Sequence, residues 1–266
     1  MQKHWSSCVS VSALAIGLLA FGHACGGVPP DGEVGVAEGA ITLPTFPTAS
    51  GTQQVTATIK VSGSFDGKLK RFQGKSGSQS ESQPPIFDLA DGATIQNVII
   101  GNLGQDGIHC NGSCTLKNVW WEDVGEDAAT QKGSKTSQVM TIDGGGARAA
   151  SDKIFQHNGP GTMVIRNFFA DSFGKLYRSC GNCSKQFKRI VQIQNVIVRG
   201  GKVLAGVNQN FGDSATFSNI TVVGSTKPSI CDRYTGNNTG AEPKKIGSGI
   251  FPPNCNYATG DIHFTN

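Results

Sequence analysis

The chain has 266 residues, 36 of them glycine, with 37% apolar and only 16% charged residues. Glycine is about twice its usual ~7% and charge falls well short of the usual ~25%, which excludes coiled coils and long amphipathic helices; no glycine triplet runs through it, which excludes collagen. Basic residues number 23 and acidic residues 19, a net charge of +4 that is too small to keep the chain unfolded, so what remains is a turn-rich all-β globule.

Residues 1–25 read as an export signal: Lys3 and His4 in a short polar head, an apolar stretch from Val9 to Phe21, then Gly22-His23-Ala24-Cys25. The stretch is too short to span a bilayer comfortably, and no later segment approaches 18 apolar residues, so no transmembrane segment is expected and the protein is expected to be secreted. Cys25, preceded by the small Ala24, offers the alternative of a lipid anchor. Residues 26–45, with prolines and few large apolar side chains, read as a linker, leaving 46–266 as one domain.

Six cysteines lie in that domain and group locally as Cys110/Cys114, Cys180/Cys183 and Cys231/Cys255. An oxidising compartment and this grouping favour those three pairings out of fifteen. Cys180-Gly-Asn-Cys183 has no second such motif and no histidine pair beside it, which argues against zinc or redox use.

From residue 94 short β-rich stretches recur, each with Asn or Asp near its middle or end: Thr94–Ile100, Thr115–Trp121, Met140–Gly144, Met163–Phe169, Val191–Val198 and Ala215–Val222. The polar positions 97, 118, 143, 167, 195 and 219 are 21, 25, 24, 28 and 24 residues apart. A period in the twenties with one such strand per unit means a solenoid, and the absence of leucine at fixed offsets selects a parallel β-helix. The asparagines are expected to stack coil upon coil at a bend, amide to amide. The segment before residue 60 and residues 236–266 are expected to cap the ends.

Successive coils lie about 4.8 Å apart, so residues one period apart become neighbours on a face. The densest acidic segment is Trp121-Glu122-Asp123-Val124-Gly125-Glu126-Asp127, and Gly104-Gln105-Asp106-Gly107 lies one coil earlier. Carboxylates held together on a glycine-bounded turn either bind a hard cation, Ca²⁺ or Mg²⁺, or form a solvated acidic turn. Lys132, Arg148, Lys153, Lys175, Arg178, Lys185, Lys188 and Arg189 supply the opposite charge, with Lys153 and Lys175 close to one coil apart. Basic side chains stacked beside a bound cation suit a carboxylate polyanion. Nucleic acid is excluded as a partner by the small net charge and the lack of an aromatic-basic ribbon. No nucleophile elbow is present, and His109 beside Cys110 reads as a packed structural histidine.

These residues resemble pectate lyases of polysaccharide lyase family 3 over roughly residues 45–235. The resemblance rests on Asp106-Gly-Ile-His-Cys110, Asn118-Val-Trp-Trp-Glu-Asp-Val-Gly-Glu-Asp-Ala128, Ala150-Ser-Asp-Lys-Ile-Phe-Gln-His-Asn158 and Phe173-Gly-Lys-Leu-Tyr-Arg-Ser-Cys-Gly-Asn-Cys183. It implies a right-handed single-stranded parallel β-helix, acting as a monomer, that cleaves polygalacturonate (pectate, the demethylated backbone of pectin) by Ca²⁺-dependent β-elimination. Carried over by motif, Asp106, Asp123, the Val124 carbonyl, Glu126 and Asp127 form the calcium group. Lys153, Lys175 and Arg178 form the catalytic basic cluster, and Glu81, Lys132 and Arg148 line the substrate groove. Crowding by like charge is expected to lower the pKa of Lys153, the expected base. The alternatives are hydrolysis on the same fold and a non-catalytic pectin-binding β-helix using these residues only to dock.

Overall fold

Alternation of apolar and polar side chains along each repeat decides which residues turn inward, and stacking then aligns them. In the computed structural model, which describes residues 41–78, 80 and 82–266, eighteen β-strands and two 3-10 turns make up the regular structure. No α-helix occurs among the described residues. The compact unit runs Ile41–Asn266. The export signal and most of the linker expected from the sequence lie outside the described residues.

Nearly all strand pairs are parallel and join segments one coil apart, giving a right-handed parallel β-helix with three faces. On the first face Ile95, Leu116, Ile142, Ile165, Ile193 and Phe217 stand in register and are buried. On the second, Ile100, Trp121, Ala147, Ala170, Val198 and Val222 form the matching column. The third stacks Phe87, Ile108, Ala129, Phe155, Tyr177, Ala205 and Cys231. Small residues make room for large ones across the interior: Trp121 sits beside Ala147 in its column and meets Phe155 edge-on, ring centroids 6.0 Å apart.

The bend between the first two faces carries the expected ladder. Asn97, Asn118, Asn167, Asn195 and Asn219 all adopt left-handed backbone, with φ from 51° to 54°. Asparagine tolerates that conformation better than other side-chain-bearing residues. Each amide reaches the coil before it: Asn118 Nδ2 donates to Asn97 Oδ1 at 2.9 Å and Asn219 Nδ2 to Asn195 Oδ1 at 2.9 Å. Position 143 departs from the expectation. Asp143 pairs with Lys117 and Arg166, so the bend itself falls on Gly144 at φ 75°. Asp143 nonetheless accepts from Asn167 Nδ2 at 2.8 Å, while the Asn118 oxygen, one coil earlier, accepts from Trp120 Nε1 of its own coil.

The three expected disulfides are present, Cys110–Cys114, Cys180–Cys183 and Cys231–Cys255. The last one ties strand Ser229–Thr235 to the C-terminal segment. That strand folds back antiparallel onto Lys244–Ser248, and Ile262–Thr265 adds to the edge of Ser214–Val223, so residues 236–266 close that end of the stack.

Candidate active site

Between the second and third faces the chain leaves the sheet in short turns, and two of these turns build an acidic nest. Asp106 precedes strand Ile108–Cys110, and Glu126 and Asp127 precede Ala129–Gln131 one coil later. The turns are pressed together: Glu126 N donates to Gln105 O at 3.1 Å and Ile108 N to Ala128 O at 3.1 Å. A Cβ on Gly107, whose φ is 48°, would lie 2.1 Å from Ala128 O, so only glycine permits the approach.

As a result carboxylate oxygens of Asp106, Glu126 and Asp127 lie within 4.8 Å of one another, all three residues buried. Asp106 Oδ1 and Asp127 Oδ1 are buried without a hydrogen-bond partner. Burial, opposed by Lys153 and reinforced by Glu126 and Asp106, pushes the Asp127 carboxyl well above the usual range. Two orphaned oxygens in a buried all-oxygen set fit a hard divalent cation, which would remove the repulsion that the protein alone leaves in place. Asp123 is exposed and stays outside this trio, and Val124 is buried with its N–H donating to Arg148 O at 3.2 Å.

The basic residues come from the next coils along the third face. Lys153 and Lys175 pair in register on strands Val139–His157 and Phe169–Ser179, and Arg178 follows on the second of these. Lys153 Nζ lies 3.2 Å from Glu126 Oε1, 3.5 Å from Asp127 Oδ1 and 2.9 Å from Asp152 Oδ2. Lys175 Nζ takes the other Asp152 oxygen at 2.7 Å. Burial disfavours the Lys153 charge, but the carboxylates of Asp127, Glu126 and Asp152 outweigh it and raise its pKa. This corrects the expectation of a pKa lowered by cationic neighbours: the nearest charges are negative. Burial likewise works against ionised Asp152, yet its hydrogen bonds from Lys175 and Lys153 hold it below the usual carboxylate range.

Arg178 is 7% exposed and anchored by one edge. Its Nη1 donates to Ser179 O at 2.6 Å, Asn208 Oδ1 at 3.0 Å and Gly206 O at 3.3 Å, and its guanidinium stacks 4.1 Å from the Tyr234 ring centroid. Asn208 is itself held by Asp213 Oδ2 at 3.1 Å and Cys180 O at 3.0 Å. Nε and Nη2 have no hydrogen-bond partner among the described residues, which leaves a fork of donors for a ligand carboxylate. Lys153, Lys175 and Arg178 share one cleft of about 630 Å³, walled by Asp152, Tyr234, Glu242 and the Cys180–Cys183 loop.

Of the residues expected along the groove, Lys132 is exposed with Nζ 3.5 Å from His109 Nδ1. His109 Nε2 in turn lies 2.6 Å from Asp106 Oδ2, so the histidine read as mere packing is a partner of the acidic trio. Arg148 lines a second cleft with its side chain: its Nε donates to Glu122 O at 2.9 Å and its guanidinium covers Phe46 at 4.5 Å. Glu81 lies outside the described residues. Asp152, Asn208, Asp213 and Tyr234 were not singled out in the sequence. Asp152 carried a usable signal, standing next to Lys153 and one coil before Lys175.

The family model for pectate lyase matches residues 43–240. The chain belongs to the pectate lyase family. It is 49% identical over 218 residues to the probable pectate lyase E of Neosartorya fischeri, covering 80% of this chain and 84% of the relative. It is 46% identical to pectate lyase E of Emericella nidulans, covering 77% and 81%. Among solved structures, the catalytic domain of pectate lyase PelI from Erwinia chrysanthemi superposes with a TM-score of 0.70 at 33% identity, covering 80% of this chain and 99% of that domain. PelI in complex with tetragalacturonic acid gives 0.69 at 34%, covering 79% and 70%. The protein is therefore a polysaccharide lyase of the pectate-cleaving kind, and no helix among the described residues is long and apolar enough to cross a membrane.

Proposed function

We propose that this pectate lyase is exported and cleaves demethylated polygalacturonate by β-elimination with a divalent cation, Ca²⁺, held by Asp106, Glu126 and Asp127. The observation that carries the reading is the direct junction of a buried, under-satisfied carboxylate trio with a lysine that opens onto a basic cleft. The short apolar leader supports export.

The C5 proton of a galacturonate is α to its carboxylate, so its removal builds negative charge on that group. Bound at the trio, the cation would neutralise the three carboxylates and present positive charge to the substrate carboxylate. The free donor edge of Arg178 and the Lys175 ammonium bind and orient the carboxylate and stabilise its growing charge. Lys153 is the proposed proton acceptor at Nζ. Among three carboxylates it holds its proton; with Glu126 and Asp127 engaged elsewhere it keeps only Asp152 as counter-ion, and its amine becomes available. Electrons from the broken C5–H bond form the C4–C5 double bond as the C4 oxygen departs and takes a proton from water to become the hydroxyl of the new reducing end, leaving a 4,5-unsaturated sugar. Lys132, through His109, holds the near edge of the Asp106 carboxylate.

The test is an assay on demethylated polygalacturonate with and without chelator. Ultraviolet absorbance of an unsaturated product that vanishes with chelator and returns with Ca²⁺ is expected. New reducing ends without absorbance would establish hydrolysis instead and refute the elimination.

A further inference from the structure

The hairpin that closes the end of the stack also walls the cleft, and it brings a charge of the wrong sign for a polyanion. Glu242, Pro243 and Tyr234 of this hairpin line the cleft together with Lys175 and Arg178. Of the two carboxylates in the lining, Asp152 is engaged by Lys153 and Lys175. Glu242 is exposed and has no ion-pair partner among the described residues. Lys245, three residues on, is tied to Asp232 at 2.7 Å, and neither it nor Lys244 lines the cleft.

The loop bearing Glu242 is fixed to the active-site side of the molecule. Asn237 N donates to Gly181 O at 2.7 Å, Gln186 Nε2 to Asn237 O at 2.7 Å and Asn237 Nδ2 to Ala241 O at 2.8 Å. Pro243 packs where Gly181 has no side chain. A Cβ there would lie 2.3 Å from Pro243 Cγ and 2.5 Å from Arg178 Nη2, so hairpin, disulfide loop and guanidinium meet at one point. Glu242 accordingly shares the cleft wall with both Arg178 and Tyr234.

Resting on the lyase reading above, we propose that Glu242 is a specificity-determining residue: it disfavours a free uronate carboxylate at the sugar position beyond Arg178, on the hairpin side, and makes that position accept a methyl-esterified galacturonate. A methyl ester removes the like charge while keeping the carbonyl acceptor. Arg178 selects a carboxylate at the reacting sugar; Glu242 selects against one at the neighbouring sugar. The cleft thereby distinguishes a blockwise demethylated chain from a mixed one.

The experiment compares kcat/KM of the full-length enzyme, E242Q and E242K on fully demethylated polygalacturonate and on partly methyl-esterified pectin, read as unsaturated product with Ca²⁺ present. The ratio of demethylated to esterified substrate is expected to rise about twofold to fivefold in E242Q, the scale for removing one exposed like charge, and further in E242K. An unmoved ratio in both variants, with the wild type active, overturns the assignment of Glu242 alone. An equal loss on both substrates also overturns it, since Glu242 would then be holding sugar hydroxyls. No unsaturated product from the wild type on either substrate would overturn the lyase reading and this proposal with it.

Discussion

Replacing Asp127 by asparagine tests the acidic nest without relying on turnover. In the protein without a cation, Asp127 meets two carboxylates within 4.8 Å and one ammonium at 3.5 Å. At an effective dielectric of ~20 each repulsion is worth about 3.5 kcal/mol and the Lys153 attraction about 5, which leaves about 2 kcal/mol uncompensated before any desolvation. The amide keeps the shape of the side chain and an oxygen for Thr130, whose Oγ1 lies 3.4 Å from Asp127 Oδ2. D127N is therefore expected to be more stable than the wild type in chelator by about 2 kcal/mol, or about 4–8 °C in Tm for a domain of this size. With a charged ligand lost, Ca²⁺ should raise its Tm less; a tenfold weaker affinity removes about 1.4 kcal/mol of the gain at saturating ion. Differential scanning calorimetry in chelator and in Ca²⁺ reads both. A D127N protein less stable than wild type in chelator, or raised equally by Ca²⁺, would refute the account of a nest strained by its own charge.

Further outcomes follow from the same geometry. In chelator, folded Asp127 binds a proton more readily than the unfolded chain because its folded pKa is raised; the stability that this proton brings is present at acid pH and lost as pH rises, so the Ca²⁺-induced rise in Tm should be larger at pH 8 than at pH 5. K153A should lose about two to four orders of magnitude in kcat, and the wild-type rate should climb toward alkaline pH, both read as unsaturated product; near-normal turnover in K153A would remove it as the base. Tyr234→Leu should lower kcat about tenfold through a displaced Arg178, with Tyr234→Phe close to wild type, because the ring face and not the hydroxyl carries the contact. Arg189→Met should cost about 3–5 kcal/mol by urea denaturation, since this fully buried guanidinium donates to the carbonyls of Asn158, Gly159 and Cys180, which would be left without it.

The stacked fold was legible because one residue type recurs for one reason. Asparagine marks the left-handed bend, and its spacing gives the coil length. Legibility failed where another residue meets the same requirement: at Gly144 the bend is glycine, and Asp143 beside it attracted the assignment. Asp106, Glu126 and Asp127 were legible because they flank glycines on turns one coil apart. Asp123 was placed with them by motif; three residues before Glu126, it is exposed and lies outside the trio of Asp106, Glu126 and Asp127. The support of Arg178 was not legible at all. Asn208, Asp213 and Tyr234 lie 30 to 56 residues downstream of it; the asparagine spacing gives the length of each coil but not how its loops divide that length, which decides the residues brought to Arg178.

The asparagine column works as a ruler along one edge of the molecule. Spacings between its marks run from 21 to 28 residues, yet the columns Ile95 to Phe217 and Phe87 to Cys231 stay in register throughout. The surplus is taken up in the connecting loops, among them the loop that carries Cys180 and Cys183 to the cleft wall. Registration and variation are thus assigned to different edges of the same coil. Insertions that reshape the cleft need not re-index the interior, so the catalytic rim can be remodelled over evolution without refolding the stack that holds it.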